Sequence, residues 1–258
     1  MKIATWNVNS LKVRLPQVLN WLETARPDVL ALQETKLPDE AFPLAEINAA
    51  GYHCVYSGQK TYNGVALLTR SEPSEVLTEI PALGDPQRRI LAATVMGVRI
   101  LNLYVVNGQE VTSDKYQYKL AWMDAVTRYI AQDMQRHPRY VVLGDFNIAP
   151  DDRDVYDPVS WAGRVLCSQP ERDALQRILD LGLSDTFRLF EQPQAIYSWW
   201  DYRAAGFRRN AGLRIDLILA DAQLATNCLS SGVDREPRKW ERPSDHAPVV
   251  AEFRVDVP

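Results

Sequence analysis

Polar residues stand at or near the ends of six apolar segments of this chain. They are Asn7 and Asn9, Glu34, Tyr104 and Asn107, Asp145 and Asn147, Asp216, and the adjacent pair Asp245 and His246. If the segment ends converge, they bring acids, amides, a phenol and an imidazole into one polar pocket. Each residue alone has an ordinary explanation, such as ending a strand, capping a sheet edge, packing at the edge of a core or forming an Asx turn. One shared site accounts for all of them together.

Asp216 is the hardest of these residues to explain as ordinary polarity. It stands between Ile215 and Leu217, where an acid is costly unless it is paired, hydrogen-bonded or bound to a cation. Placed behind His246, such an acid would orient the imidazole and raise its pKa. His246 would then act as a hydrogen-bond donor rather than as a base.

Oxygen ligands without cysteine suit Mg²⁺ or Mn²⁺ rather than zinc. Mg²⁺ usually binds one or two carboxylates together with waters and phosphate oxygens, which makes a phosphate ester the natural substrate. In-line attack of water at phosphorus also needs a base, donors for the charge on the equatorial oxygens and help for the leaving oxygen. The sequence therefore predicts metal-assisted hydrolysis of a phosphate ester.

Hydrophobic periodicity predicts the elements that would position these residues. The chain opens with a strand over 2–8, a helix that ends before Pro27 and a strand over 29–35, a crossover long enough for parallel pairing. Strand candidates then follow with little helix between them, over 53–57, 64–70, 74–80, 90–95 and 98–106. These favour an antiparallel sheet. The pattern continues with a helix over 114–136, a strand over 140–147, a helix over 171–182 and strands over 214–220 and 247–255.

No linker rich in Gly, Pro or Ser divides the chain. We therefore predict a single catalytic domain over residues 1–258 with an α/β fold. Its architecture would be a four-layered α/β sandwich, in which two mixed β-sheets, one from each strand-rich half, pack face to face and are flanked by helices. The loop over 148–170 carries Tyr156 and Trp161 and reads as an ordered functional loop.

The composition is typical of a globular protein, with 46% hydrophobic and 24% charged residues. Three widely spaced cysteines argue against a disulfide framework or a thiolate zinc site. The net charge of −4 argues weakly against broad binding of nucleic acid, although acids clustered at a metal would mask surrounding bases. Neither a signal peptide nor an apolar run of membrane-spanning length is evident, so we expect a cytoplasmic protein, nucleoid-associated in a bacterium, without a membrane partner.

The segments TWNVNSLK, LALQETK, NLYVVNG, GDFNIAP, LRIDLILA and PSDHAPV resemble, in order and spacing, the motifs of the exonuclease III family of DNA repair nucleases. This family lies within the larger endonuclease/exonuclease/phosphatase superfamily, which GDFN and SDHAPV alone would mark. The resemblance runs from Met1 to about Arg254 and includes NGVALLTR and SWWDYRAAGFRRNAGLRID. It implies a monomeric, Mg²⁺-dependent hydrolase of base excision repair, for which Mn²⁺ can substitute. Its partner would be double-stranded DNA with abasic sites or 3′ termini.

The resemblance also implies roles for single residues. Glu34 is similar to the principal metal ligand, with Asn7 and Asp245 close to the ion directly or through water. Asp145 is similar to the residue that positions or deprotonates the attacking water, and Asn147 to the one that hydrogen-bonds the scissile phosphate.

The remaining catalytic roles fall on three residues. His246, held by Asp216, resembles the imidazole that stabilises the transition state. Tyr104 resembles the active-site phenol, whose part in the reaction the sequence leaves open.

The sequence departs from the family pattern at Val106 and in the loop over 159–170, whereas the predicted pocket positions match. The family commonly has proline two residues after the tyrosine, whereas this chain has Val106, which would relax the loop that carries Asn107. Trp199, Leu213 and Ile215 occupy the positions that line the family's pocket for a flipped abasic sugar. The loop over 159–170 does not match closely, so the balance between abasic cutting and the removal of 3′ nucleotides or blocking groups stays open.

Basic residues gather in loops beside the polar strand ends, where they predict phosphate contacts that position a duplex without reading its sequence. They are Lys12, Arg14, Lys36, Lys60, Lys115, Lys119, Arg203, Arg208, Arg209, Arg214, Arg238, Lys239 and Arg242. Taken singly, each is better explained as a solvated surface residue. The residues predicted to contact DNA or substrate are Asn9, Lys36, Asn107, Lys115, Trp199, Leu213, Arg214 and Ile215.

Two other functions are open to the same residues. The superfamily chemistry could act on an inositol phosphate, a phospholipid or RNA, although the segment SWWDYRAAGFRRNAGLRID disfavours this. The chain could also be a nucleic-acid-binding module that has lost activity, which the presence of every expected catalytic residue disfavours.

Overall fold

The computed structural model describes residues 1–81 and 83–255 and contains two six-stranded sheets. The strands, in chain order, are β1 Lys2–Asn7, β2 Val29–Gln33, β3 His53–Ser57, β4 Val65–Thr69, β5 Ser74–Leu77, β6 Ile90–Val95, β7 Val98–Tyr104, β8 Tyr140–Asp145, β9 Leu183–Asp185, β10 Trp199–Trp200, β11 Gly212–Leu213, β12 Asp216–Asp221, β13 Cys228–Val233 and β14 Val249–Phe253. The α-helices are α1 Leu11–Ala25, α2 Leu44–Ala49, α3 Asp114–Asp133, α4 Pro158–Trp161, α5 Gln169–Leu179 and α6 Ala222–Thr226.

Both six-stranded sheets are mixed, and β10 pairs antiparallel with β11 in a separate two-stranded sheet. The first has the strand order β13-β14-β1-β2-β4-β3, and the second has the order β5-β6-β7-β8-β12-β9. One pair in each sheet is parallel, β1 with β2 and β7 with β8, while the other named pairs are antiparallel. The predicted parallel opening and the predicted sandwich of two mixed sheets with helices are therefore confirmed.

The assignment of strands to sheets corrects two predictions. The strand candidates between residues 53 and 106 do not form one antiparallel sheet, because β3 and β4 join the first sheet and β5, β6 and β7 join the second. The sheets also do not correspond to the two halves of the chain. The C-terminal strand β14 pairs antiparallel with β1, so both ends of the chain build the first sheet.

Alternation along the strands divides the apolar side chains into layers. On β1, Ile3 packs in the core between the sheets, whereas Ala4 and Trp6 pack with the apolar face of α1. On β7, Ile100 packs between the sheets and Leu101 packs in the core that includes the buried face of α3. Helices thus cover the outer face of each sheet.

A buried polar network crosses the core between the sheets below the site. The Gln33 amide donates to Thr5 Oγ1 at 2.9 Å and to Asn102 Oδ1 at 2.7 Å. Asn102 in turn donates from the second sheet to the carbonyls of Leu32 and Ala66 in the first, both at 3.0 Å. Buried amides need their partners, so this network fixes how one sheet sits on the other.

No helix in the described ranges combines the length and the apolar character that crossing a bilayer requires.

Candidate active site

The strand pairing brings the predicted residues to one edge of the sandwich. In the second sheet, Tyr104 stands opposite Asp145, and Asp145 stands opposite Asp216 across the next pair. In the first sheet, Asn7 stands opposite Gln33, so that Glu34 follows at the same edge. Sequence patterning could predict that these strand ends are polar, and the pairing is what places them together.

An amide joins the two facing carboxylates of the site. Asn7 Nδ2 donates to Glu34 Oε1 and to Asp145 Oδ2, both at 2.9 Å. The backbone amide of Asn9 donates to Asn7 Oδ1 at 3.0 Å, which fixes the orientation of the Asn7 side chain. Ligand atoms of Glu34, Asp145 and His246 all lie within 4.8 Å of one another.

The turn after β8 is an Asx turn, and it also belongs to the site. Asp145 Oδ1 accepts a hydrogen bond from the backbone amide of Asn147 at 2.9 Å. Asn147 has a left-handed backbone with φ of 48°, which asparagine tolerates better than most residues. Its side chain donates to the Val105 carbonyl at 2.9 Å and accepts from Asn107 at 3.2 Å. The Asx turn that the sequence offered as the ordinary explanation is therefore present, and it places Asn147 beside Asp145.

His246 is held from behind by Asp216. Its Nδ1 lies 2.9 Å from Asp216 Oδ2, and this carboxylate accepts a second hydrogen bond from Ser198 Oγ at 2.6 Å. Burial by itself would lower the pKa of His246, but the charges of Asp216 and Asp145 outweigh burial and raise that pKa to about 10. At neutral pH the imidazole is therefore a cation with Nε2 turned toward the site, 3.8 Å from Asp145 Oδ2.

The carboxylate of Asp145 is buried. Burial raises its pKa to about 7, against the charge of His246, which acts in the opposite direction. A group with such a pKa can accept a proton near neutral pH. The adjacent phenol behaves differently, because burial, followed by the charges of Glu34 and Asp145, raises the pKa of Tyr104 well above its usual range. Tyr104 therefore stays protonated, and its hydroxyl can donate a hydrogen bond but does not act as a base.

The donor set fits a hard divalent cation. Carboxylates from Glu34 and Asp145 converge within the cluster described above, and oxygen ligands of this kind suit such ions. The Lys36 ammonium lies 3.0 Å from Glu34 Oε2, so a positive charge already stands beside this carboxylate. Asp245 lies outside the three-residue cluster, and its carboxylate accepts from Asn9 Nδ2 and Trp199 Nε1, both at 3.0 Å. Asn9 also accepts a hydrogen bond from Lys36, which is paired with Glu34. These contacts connect Asp245 to Glu34.

Several residues predicted to contact DNA or substrate surround the site. Asn9, Lys36 and Trp199 are half-buried in the network around Asp245, and Asn107 is exposed at the rim. Asn107 and the exposed Lys115 line a neighbouring cleft of about 460 Å³, together with Tyr62, Arg89 and Val106. Leu213 and Ile215 are fully buried in an apolar cluster with Leu166 and Cys167, so Trp199 alone of the three predicted pocket residues exposes surface.

The structure corrects the prediction that Arg214 contacts DNA. Arg214 is 1% exposed, and its guanidinium donates to Asp154 Oδ1 at 2.6 Å and to Asp185 Oδ2 at 2.7 Å. A phosphate could reach this group only if the fold opened, so Arg214 joins elements of the scaffold. Lys119 and Arg238, also among the predicted basic surface residues, are buried as well.

Two serines that support the site were not predicted from the sequence. Ser198 Oγ accepts from the backbone amides of Ile215 and Asp216, both at 3.0 Å, and donates to the Asp216 carboxylate. Ser244 Oγ donates to the Asn7 carbonyl at 2.7 Å and accepts from the His246 amide at 3.2 Å. Ser244 stands inside the SDHAPV motif, which was a usable signal, whereas nothing local marks Ser198.

Comparisons with known proteins identify the family to which this chain belongs. Residues 4–246 match the model of the Endonuclease/Exonuclease/phosphatase family. The exodeoxyribonuclease III of Haemophilus influenzae is 37% identical, over 98% of this chain and 100% of that protein. The solved 3′ phosphatase NExo from Neisseria, bound to a product DNA hairpin, is 53% identical with a TM-score of 0.97, covering 99% of this chain and 100% of that one. An AP endonuclease from Archaeoglobus fulgidus is 39% identical with a TM-score of 0.95 and the same coverage. The chain therefore belongs to the Endonuclease/Exonuclease/phosphatase family, as an exodeoxyribonuclease III-like, metal-dependent nuclease.

Proposed function

We propose that this protein is a Mg²⁺-dependent DNA phosphodiester hydrolase of base excision repair, acting on 3′ ends, on abasic sites or on both. The observation that carries the proposal is the convergence of Glu34, Asp145 and His246, with the Asp216 carboxylate behind the imidazole. The similar structures, a 3′ phosphatase bound to a product DNA hairpin and an AP endonuclease, support the substrate class.

The reaction we infer is attack of water on phosphorus with displacement of a phosphate-ester oxygen. Asp145 takes the proton of the attacking water, which the raised pKa of its buried carboxylate favours. The His246 cation donates a hydrogen bond to a non-bridging oxygen as negative charge develops there. Tyr104 and Asn147 lie next to Asp145 and contribute neutral donors at the same edge.

Glu34 would hold the cation, with Asn7 and Asp245 near it directly or through water. Mg²⁺, for which Mn²⁺ can substitute, would supply positive charge to the phosphate oxygens and to the leaving oxygen. The orientation of the Asn7 amide toward both Glu34 and Asp145 keeps these two carboxylates in one place.

We further infer that residues 1–258 act as one catalytic domain, as a monomer on double-stranded DNA, in the cytoplasm or at the nucleoid. The pairing of β14 with β1 supports one domain, because neither strand could be removed without opening the first sheet.

The decisive experiment compares two duplexes, one with an internal abasic analogue and one with a recessed 3′ phosphate, with Mg²⁺ and after chelation. We expect cleavage of at least one duplex, dependence of that cleavage on the metal, and a strong decrease of it in Asp145→Asn. A protein that cuts neither duplex but hydrolyses an inositol phosphate, a phospholipid or RNA would contradict the proposal. Binding of DNA without any cleavage would instead identify an inactive binding module.

A further inference from the structure

The amino group of Lys119 lies in the interior of the protein, where burial lowers its pKa and the charge of Glu171 acts in the opposite direction. The residue lies on α3 and is 0% exposed, as is its partner Glu171 on α5. Its ammonium donates to Glu171 Oε1, to the Asn147 carbonyl at 2.7 Å and to the Asn107 carbonyl at 3.1 Å. An ammonium has three protons to donate, and these acceptors use all of them. The sequence predicted Lys119 as a basic residue that faces DNA, and the structure corrects this. The side chain is buried, and its amino group has three hydrogen-bond acceptors.

The two carbonyl acceptors belong to two different loops of the proposed site. Asn107 follows β7 and Asn147 follows β8, and their side chains are hydrogen-bonded to each other. The backbone amide of Asn147 also holds Asp145 Oδ1. One ammonium thus fixes the backbone of both loops directly behind the side chains that face the substrate.

Glu171 extends the same network to the segment before α5. Its Oε1 also accepts from the Leu166 amide at 3.0 Å, and its Oε2 accepts from the Ser168 amide at 3.2 Å and from Ser168 Oγ. Tyr116, one helical turn before Lys119, hydrogen-bonds Ser168 Oγ at 2.6 Å. The two helices and three loops therefore share one buried polar network.

A buried ion pair is not needed for stability as such, because apolar side chains of similar volume often stabilise a fold as well or better. An apolar residue at position 119 would, however, leave the Asn107 and Asn147 carbonyls without this donor. The geometry thus favours a role in placing loops over a role in holding the core.

We propose that Lys119 is a positioning residue that sets Asn107 and Asn147 relative to the Asp145 carboxylate. The inference rests on the proposed function of this site and assigns to it a group that does not touch the substrate. Loss of Lys119 should leave the substrate bound but the reacting groups misplaced, so that kcat falls while KM changes little.

The same helix offers a matched control at its other end. Arg99 and Asp133 form a second buried ion pair, with Arg99 Nε 3.0 Å from Asp133 Oδ2. Arg99 precedes Tyr104 on β7 by five positions, or about 17 Å of extended strand. The variant R99M/D133N removes this pair away from the site, and K119M/E171Q removes the pair behind it.

The experiment measures steady-state cleavage of whichever duplex the wild type cuts. We expect K119M/E171Q to lose about 10- to 100-fold in kcat with little change in KM, since small misplacements of reacting groups cost this much. R99M/D133N should keep wild-type kcat, and Lys119→Arg, which keeps the charge, should recover part of the loss. Equal losses in both double variants, or wild-type kcat in K119M/E171Q, would overturn the proposal.

A second measurement does not depend on cleavage. Amide hydrogen exchange should become faster at Asn147 and Ala149, relative to the interior of β8, in K119M/E171Q and not in R99M/D133N. Unchanged exchange at these two amides would also overturn the proposal. A wild type that cuts no DNA would refute the proposed function instead, and the exchange data would still decide whether Lys119 holds the loops.

Discussion

The carboxylate of Asp216 lies 2.9 Å from Nδ1 of His246 and has no exposure to solvent. Ser198 Oγ donates to the same carboxylate, and two backbone amides hold Ser198 in turn. The acid is therefore fixed before any substrate arrives, and it fixes both the orientation and the charge of the imidazole. This preorganisation matters because a donor already aimed at the phosphate need not reorganise during the reaction.

Removing either reacting group should impair cleavage without unfolding the protein. We expect His246→Ala and Asp145→Asn each to lower kcat by about 10²- to 10³-fold, the usual effect of deleting one electrostatic contact to a transition state. Circular dichroism should be unchanged, because neither side chain contributes to an apolar core. Cleavage at the wild-type rate in both variants would show that the centre lies elsewhere.

The pH profile should be bell-shaped. Asp145 must be ionised to accept a proton, so activity should rise through a pH at or below its pKa of about 7, since a bound cation lowers that pKa further. His246 must be protonated to donate, so activity should fall as the pH passes its pKa of about 10.

Asp216→Asn tests the origin of the alkaline limb. This change removes the carboxylate that contributes most to raising the pKa of His246, so the fall in activity should move to lower pH. Asp221→Asn, at the other end of β12, is the matched control and should leave the limb in place. The measurement is kcat/KM against pH for the three proteins, and an unmoved limb in Asp216→Asn would contradict the assignment.

Much of this site could be predicted from the sequence, because polar residues at the ends of apolar strands can be recognised locally. An acid or amide at the end of a largely apolar run, as Glu34 and Asp145 are, marks the rim of a sheet. The assignment of strands to sheets could not be predicted in this way, since β5 could equally have extended the first sheet. That choice depends on pairing over long distances, as between β14 and β1.

Arg214 and Lys119 show where reading the chain locally fails. Both are long cations beside predicted site residues, yet both are enclosed by acids that lie far away in sequence, Asp154 and Glu171. For Lys119 a signal was present, because it shares the spacing of the buried positions Tyr116, Met123 and Val126 on α3. For Arg214 the partner carboxylates lie in a single 3-10 turn (Asp154) and at the end of the three-residue strand β9 (Asp185), elements too short for periodicity to locate.

Arg214→Met should therefore reduce stability rather than DNA affinity. It leaves the buried Asp154 and the nearby Asp185 with less compensation, which typically costs about 3–5 kcal/mol of the free energy of unfolding. Arg203→Met, which removes an exposed arginine paired with Asp201, should leave stability unchanged. Denaturant unfolding measures the first effect. A weaker salt dependence of DNA binding in Arg214→Met would restore Arg214 as a phosphate contact.

Lys36 should oppose the binding of the metal while assisting the binding of DNA. Its ammonium lies 3.0 Å from Glu34 Oε2, where it competes with a divalent cation for that carboxylate and repels it. Lys36→Met should therefore tighten Mg²⁺ binding severalfold in calorimetric titrations without DNA. The same change should weaken duplex binding and lower the slope of log K against log salt by about 0.9, the share of one phosphate contact.

Lys115 offers a control, because it is exposed and lines the neighbouring cleft rather than the Glu34 cluster. Lys115→Ala should lower the salt slope and leave the affinity for Mg²⁺ unchanged. Weaker Mg²⁺ binding in Lys36→Met would mean that Lys36 instead helps to hold Glu34 in place for the ion, through its hydrogen bond to Asn9.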